Sequence, residues 1–136
     1  MRFRFEININ TNTILIMKYM LLIYSDEKSW AQIPPQQLPA IMEKWMGYGQ
    51  AMQEAGVLVA GDQLQPTAAS TTLRFQDGKV VPTDGPFAET KEQLGGYYLI
   101  DVPDVDVAMK WASQCPALFG GGSVELRPLV SQPARG

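Results

Sequence analysis

Two short runs, YMLLIY at 19–24 and VLVAG at 57–61, carry apolar side chains at consecutive positions. Strand side chains point alternately to opposite faces, so a sheet with one wet face shows apolar and polar residues in alternation. These runs break that pattern, so they predict strands covered on both faces, and the fold must supply two covers. Helices can form one. Residues 37–55 place Leu38, Ile41, Met42, Trp45, Met46 and Met52 at amphipathic-helix spacing, with Gly56 where a helix end favours a left-handed residue. A second helix is predicted to open at Pro103-Asp104, with Val105, Ala108, Met109, Trp111 and Ala112 on its inner side.

Between these elements the chain reads as further strands. Thr72 to Phe75, an Asp77-Gly78 turn and Lys79 to Val81 form a hairpin, because Asp-Gly accepts the positive φ angles of a tight turn. GGYYLIDV (95–102) and SVELRPL (123–129) complete the set, and SDEKSWAQIPPQQLP (25–39) reads as a polar, proline-rich loop. With the hairpin arm set aside, the order is β-α-β-β-α-β, a ferredoxin-like α+β arrangement with both helices on one face of an antiparallel sheet. The second cover is then most simply another copy of the same sheet, which predicts a homodimer through sheet faces.

A chain of 136 residues fits one domain. The domain is expected over 17–130, followed by a tail at 131–136. Residues 1–16 read as an extension, disordered or forming an extra edge strand, since Phe3, Phe5, Ile7 and Ile9 alternate with Arg4, Glu6 and Asn8. That segment lacks a small-residue cleavage site and no apolar run reaches the length of a membrane span, so a cytoplasmic protein without membrane contact is expected. A net charge of −3 with no Lys/Arg cluster argues against nucleic acid as a partner.

The chain contains no histidine. Ser-His and Cys-His nucleophile systems and the commonest zinc sites are thereby removed, and no metal or cofactor is expected. The single cysteine, Cys115, reads as a small core hydrophobe in the second helix.

The candidate site is TDGPFAETKEQLGGYYLI, 83–100. Two readings of it stay open. In the first, Asp84-Gly85-Pro86-Phe87 is a turn: Asp84 accepts backbone hydrogen bonds, Gly85 relaxes φ, Pro86 fixes the next residue, and Phe87 plugs the core or a dimer seam. In the second, Gly85, Pro86 and Phe87 belong to the rim of a ligand site. Gly95 and Gly96 open a strand without side chains, which marks the close approach of another backbone or a ligand. Asp84 or Glu89 can serve as general base if desolvation raises its pKa, and Lys91 or Arg127 can hold an anionic group. Tyr97 or Tyr98 can donate a hydrogen bond, although neighbours in a strand cannot both line one pocket. Arg127 is expected to pair with Asp62 or Asp101. Glu89, Lys91 and Glu92 also fit a solvated charged loop, and Gly120-Gly121-Gly122 a plain turn.

MKYMLLIY, GVLVAGDQL, DGPFAETKEQLGGYYLIDVPDVDVAMKWA and VELRPL, taken together over about 17–130, resemble YCII-related proteins of the DGPF subgroup. The resemblance implies a ferredoxin-like dimeric α+β barrel, and for some members a setting beside alternative sigma factors. A His-Asp pair proposed within the broader family has no counterpart in a chain without histidine. Two functions follow as expectations. One is a dimeric small-ligand-binding or accessory protein tied to transcriptional control. The other is a cofactor-free isomerase or lyase acting on a small anionic substrate through Asp84, Glu89 and Lys91.

Overall fold

The computed structural model describes residues 17–130, so the expected extension and tail lie outside the described residues. The fold is α+β. Strand β1 (Met17–Ser25) pairs antiparallel with β5 (Gln93–Val102) on one side and β6 (Ser123–Pro128) on the other, while β2 (Leu58–Gln63) pairs antiparallel with β5. The sheet order is β2-β5-β1-β6. Strands β3 (Thr71–Gln76) and β4 (Lys79–Asp84) form a separate hairpin, its turn made by Asp77 and Gly78 at φ 51° and 77° as Asp-Gly predicts.

Helix α2 (Leu38–Glu54) starts with a proline in its first turn, where no backbone N–H is required, and ends before Gly56 at φ 74°. Asp104 caps α3 (Val105–Ala112) by accepting from Val107 N at 2.9 Å. Both helices lie over one face of the sheet. There Tyr19, Leu21 and Ile23 of β1 and Ile100 and Val102 of β5 meet Tyr48 and Met52 of α2 and Ala108 of α3. Each large side chain buried in this layer contributes about 1.5–3 kcal/mol of transfer free energy. Cys115 is fully buried in the same core, just past the end of α3 rather than within it.

Three local expectations are corrected. The 25–39 segment is not all loop: α1 (Glu27–Ala31) forms there, capped by Asp26, and a 3-10 turn follows at Pro35–Gln37. A five-residue helix is too short to show periodicity. On the long helices the inner face is narrower than the apolar pattern implies, since Met42, Met46, Val105 and Met109 are exposed. Phe87 is 74% exposed and plugs no core within the chain.

The opposite face of the sheet carries rows fixed by strand register. Asp62, Tyr97, Leu22 and Glu125 form one row, and Ala60, Leu99, Met20 and Arg127 the next. Its apolar centre is only partly covered, and charged residues flank it.

Candidate functional site

The helix side of the sheet opens at one end into a cleft of about 1260 Å³. Core residues Ile23, Tyr48 and Ala117 reach its floor, Trp30, Ile33, Ile41 and Trp45 its walls, and Phe119 and Gly120–Gly122 one lip. Charge enters from Asp26, Lys44, Lys91 and Glu92.

Two of the aromatic side chains are each held by a hydrogen bond. Trp30 Nε1 donates to Ser25 Oγ at 3.0 Å, which fixes the indole against the end of β1. The short helix carrying Trp30 is tied down on two sides. Glu27 N donates to Gln93 Oε1 at 3.0 Å, and the Glu27 carboxylate accepts from Thr67 N at 2.7 Å and Thr67 Oγ1 at 2.9 Å. Tyr48 Oη donates to Trp111 O at 2.8 Å, and its ring meets Tyr98 edge-on at 5.5 Å between centroids. Burial pushes the Tyr48 phenol well above its ordinary pKa, so it stays protonated at neutral pH.

The charged groups divide into two kinds. Asp26 Oδ1 accepts from Lys28 N at 2.9 Å as the cap of α1, and Glu92 accepts from Ser123 Oγ at 3.2 Å. Lys44 and Lys91 have no ion-pair partner among the described residues. The glycine turn offers no free amide cradle, because Gly121 N and Gly122 N both donate to Ala117 O. Among the described residues no group of three His, Cys, Asp or Glu side chains is placed to hold a metal ion, and no helix is long and apolar enough to cross a membrane.

The structure does not bring the sequence-predicted residues together in one place. Lys91 lines the cleft. Asp84 and Gly85 close the base of the β3-β4 hairpin: Asp84 pairs with Thr71, Gly85 N donates to Ser70 O at 2.8 Å, and Thr72 Oγ1 donates to Gly85 O at 2.7 Å. Gly85 sits at φ 103°, a conformation that disfavours any side chain. The Asp84 carboxylate accepts no hydrogen bond among the described residues, so the expected Asx-turn is not what shapes this corner. Half-buried Pro86 and exposed Phe87 follow on the same bend, where Arg74 Nη2 donates to Phe87 O at 2.8 Å. Glu89 lies in the loop between that bend and β5 and does not line the cleft.

Tyr97 and Arg127 stand on the opposite sheet face. Arg127 pairs with Glu125 at 2.7 Å rather than with Asp62 or Asp101: Glu125 is two residues away on the same face of β6, whereas Asp62 on β2 and Asp101 on β5 are separated from β6 by intervening strands. The close approach expected at Gly95-Gly96 is another backbone at Gly96, where an added Cβ would lie 3.0 Å from Asp62 O. Sequence reasoning missed Trp30, Lys44, Tyr48 and the glycine turn as parts of one site. The available clue was Asp26 before EKSWA, a capping signal that places a tryptophan on a helix.

Comparison with known proteins agrees with this architecture in extent. The model of the YCII-related domain matches residues 17–131. An uncharacterised protein of Rhizobium meliloti (strain 1021) is 40% identical over 115 residues, covering 84% of this chain and 93% of that protein. From the matched span and this identity, the chain belongs to the YCII-related domain family.

Proposed function

We propose that this protein is a homodimeric small-ligand-binding protein, with the cleft as its ligand site and the open sheet face as its dimer seam. The observation that carries the binding reading is the cleft itself: Trp30 and Tyr48 each fixed by a hydrogen bond, a floor of core side chains, and two lysines without ion-pair partners among the described residues. Pockets for small molecules are typically concave, mostly apolar and provided with a few polar groups.

The strand order β2-β5-β1-β6 with helices on one face supports the ferredoxin-like reading. Support for a sheet-on-sheet dimeric barrel comes from the other face, whose apolar centre and charged rim follow the usual anatomy of an interface. Membership of the DGPF subgroup, and with it an accessory role beside an alternative sigma factor, rests on the resemblance of 84–98. The catalytic alternative needs Asp84 or Glu89 beside Lys91, and of these three Lys91 alone lines the cleft.

Native mass spectrometry of the purified protein tests both halves. The expected result is a dimer retaining a small molecule, with Leu99→Lys monomeric and Phe119→Asp dimeric but empty. A monomeric wild type overturns the seam. A small molecule equally retained by Phe119→Asp overturns the cleft.

A further inference from the structure

Granted the cleft as ligand site, we infer that its ligand is a planar aromatic carboxylate. The flat surfaces come first. Trp30 and Trp45 line the walls, and the Trp30 indole is tethered at its Nε1 by Ser25, leaving its ring as the contact it offers. Phe119 at the lip is 80% exposed, an apolar surface that a flat ligand would cover. Tyr48 donates its hydroxyl proton to Trp111 O, so it lines the cleft without a free donor. Aromatic ligands stack favourably on such walls, whereas saturated rings gain only buried area.

The sign of charge follows from which groups are already engaged. An aromatic cleft with carboxylates can also bind an organic cation through ring faces. Here both carboxylates have protein donors, Asp26 the capped backbone of α1 and Glu92 the Ser123 hydroxyl. The two lysines have no carboxylate partner among the described residues, so an anion is the complementary ligand. The kind of anion is narrowed by what is missing from the lining. Among the described residues no arginine fork faces the cleft, and the Gly121 and Gly122 amides are spent on Ala117 O, so the described lining offers neither a guanidinium fork nor that amide pair to a phosphate. A lysine ammonium acts as a compact point charge and pairs with a carboxylate without needing a fork geometry.

The test is calorimetric titration at low ionic strength with 2-naphthoate, 2-naphthylmethanol, 2-naphthylmethylammonium and cyclohexanecarboxylate, on wild type and on the double variant Lys44→Gln/Lys91→Gln. Both lysines are exposed, so the variant should fold. Naphthoate is expected to bind about fivefold or more tighter than the alcohol, a factor in the range of solvent-exposed ion pairs. The ammonium should bind weakest of the naphthyl probes, and cyclohexanecarboxylate less tightly than naphthoate. In the double variant naphthoate should fall to the level of the alcohol, whose own binding is unchanged. Binding of several probes without this order overturns the aromatic-carboxylate inference and leaves the cleft as a ligand site. Absence of binding by every probe overturns both.

Discussion

Tyr97 Oη donates a 2.8 Å hydrogen bond to Asp62 Oδ2, joining β5 to β2 across the sheet face that turns away from the helices. This bond, followed by the Asp62 charge, raises the Tyr97 phenol above its ordinary pKa. A raised phenol in the folded state means that the contribution of the bond is fully present below the ordinary value and is lost as pH climbs through the folded value. Asp62→Asn should therefore let one tyrosine ionise at lower pH in an alkaline absorbance titration. Superimposable curves for variant and wild type would remove the link. Because the pair is on the far side of the sheet, Tyr97→Phe should leave binding in the cleft unchanged.

Tyr48 makes the corresponding prediction for the core. Its hydroxyl donates to Trp111 O from a buried position, and burial raises its pKa far above that of a free phenol. Tyr48→Phe should cost about 1 kcal/mol at pH 7, the usual net worth of one such bond. Above a pH of about 10 the unfolded chain ionises this phenol and the folded chain does not, so wild type loses stability as pH rises. The variant lacks that loss. Urea unfolding at pH 7, 9 and 10.5 should show the gap between the two proteins narrowing, and a gap that stayed constant would count against the assignment.

Gly122 tests the lip of the cleft. A Cβ there would lie 2.7 Å from Tyr24 O and 3.1 Å from Ala117 O, both of them backbone atoms that cannot swing aside. Gly122→Ala should destabilise by about 1–3 kcal/mol, as overpacking does. Gly120→Ala, two residues away with nothing within 4 Å of the added carbon, is the matched control and should be nearly neutral. Thermal denaturation of the pair decides it, and equal melting temperatures would show that the turn can relax.

Cys115 provides a probe of opening. It is fully buried, and burial pushes its thiol above the ordinary value, so little reactive thiolate is available in the folded protein. A thiol reagent at neutral pH should leave the native protein unlabelled and react fully in denaturant. Labelling of native protein at the rate of a small free thiol would contradict the packing between the end of α3 and the turn at Pro116–Gly120.

The fold was legible wherever a signal was local and repeated. The Asp-Gly turn, the α2 periodicity with Gly56 behind it, and the long apolar strands each depend on residues close in sequence. Met46 shows the limit of that reasoning: it has the right spacing for a core residue and is 71% exposed, because periodicity defines a stripe without defining how wide a neighbour covers it.

The candidate site was legible in part for a related reason. Asp84, Glu89 and Lys91 are near one another along the chain, yet Asp84 is held at the hairpin base by its pairing with Thr71 and by the Ser70 and Thr72 bonds to Gly85 beside it, while Lys91 lines the cleft. The cleft residues come from β1, α1, α2, the 91–92 loop and the 116–122 turn, and no sequence spacing relates them.

The sequence by itself determined the order of the strands and of the two longer helices, the antiparallel α+β class and the absence of histidine chemistry, since these follow from local propensity and from composition. Tertiary structure alone decided that Trp30, Trp45 and Lys91 share a cleft while Tyr97 and Arg127 stand on the other side of the sheet. Register and the alternation of strand side chains between two faces make that choice, and both are set by pairing between segments remote in the chain.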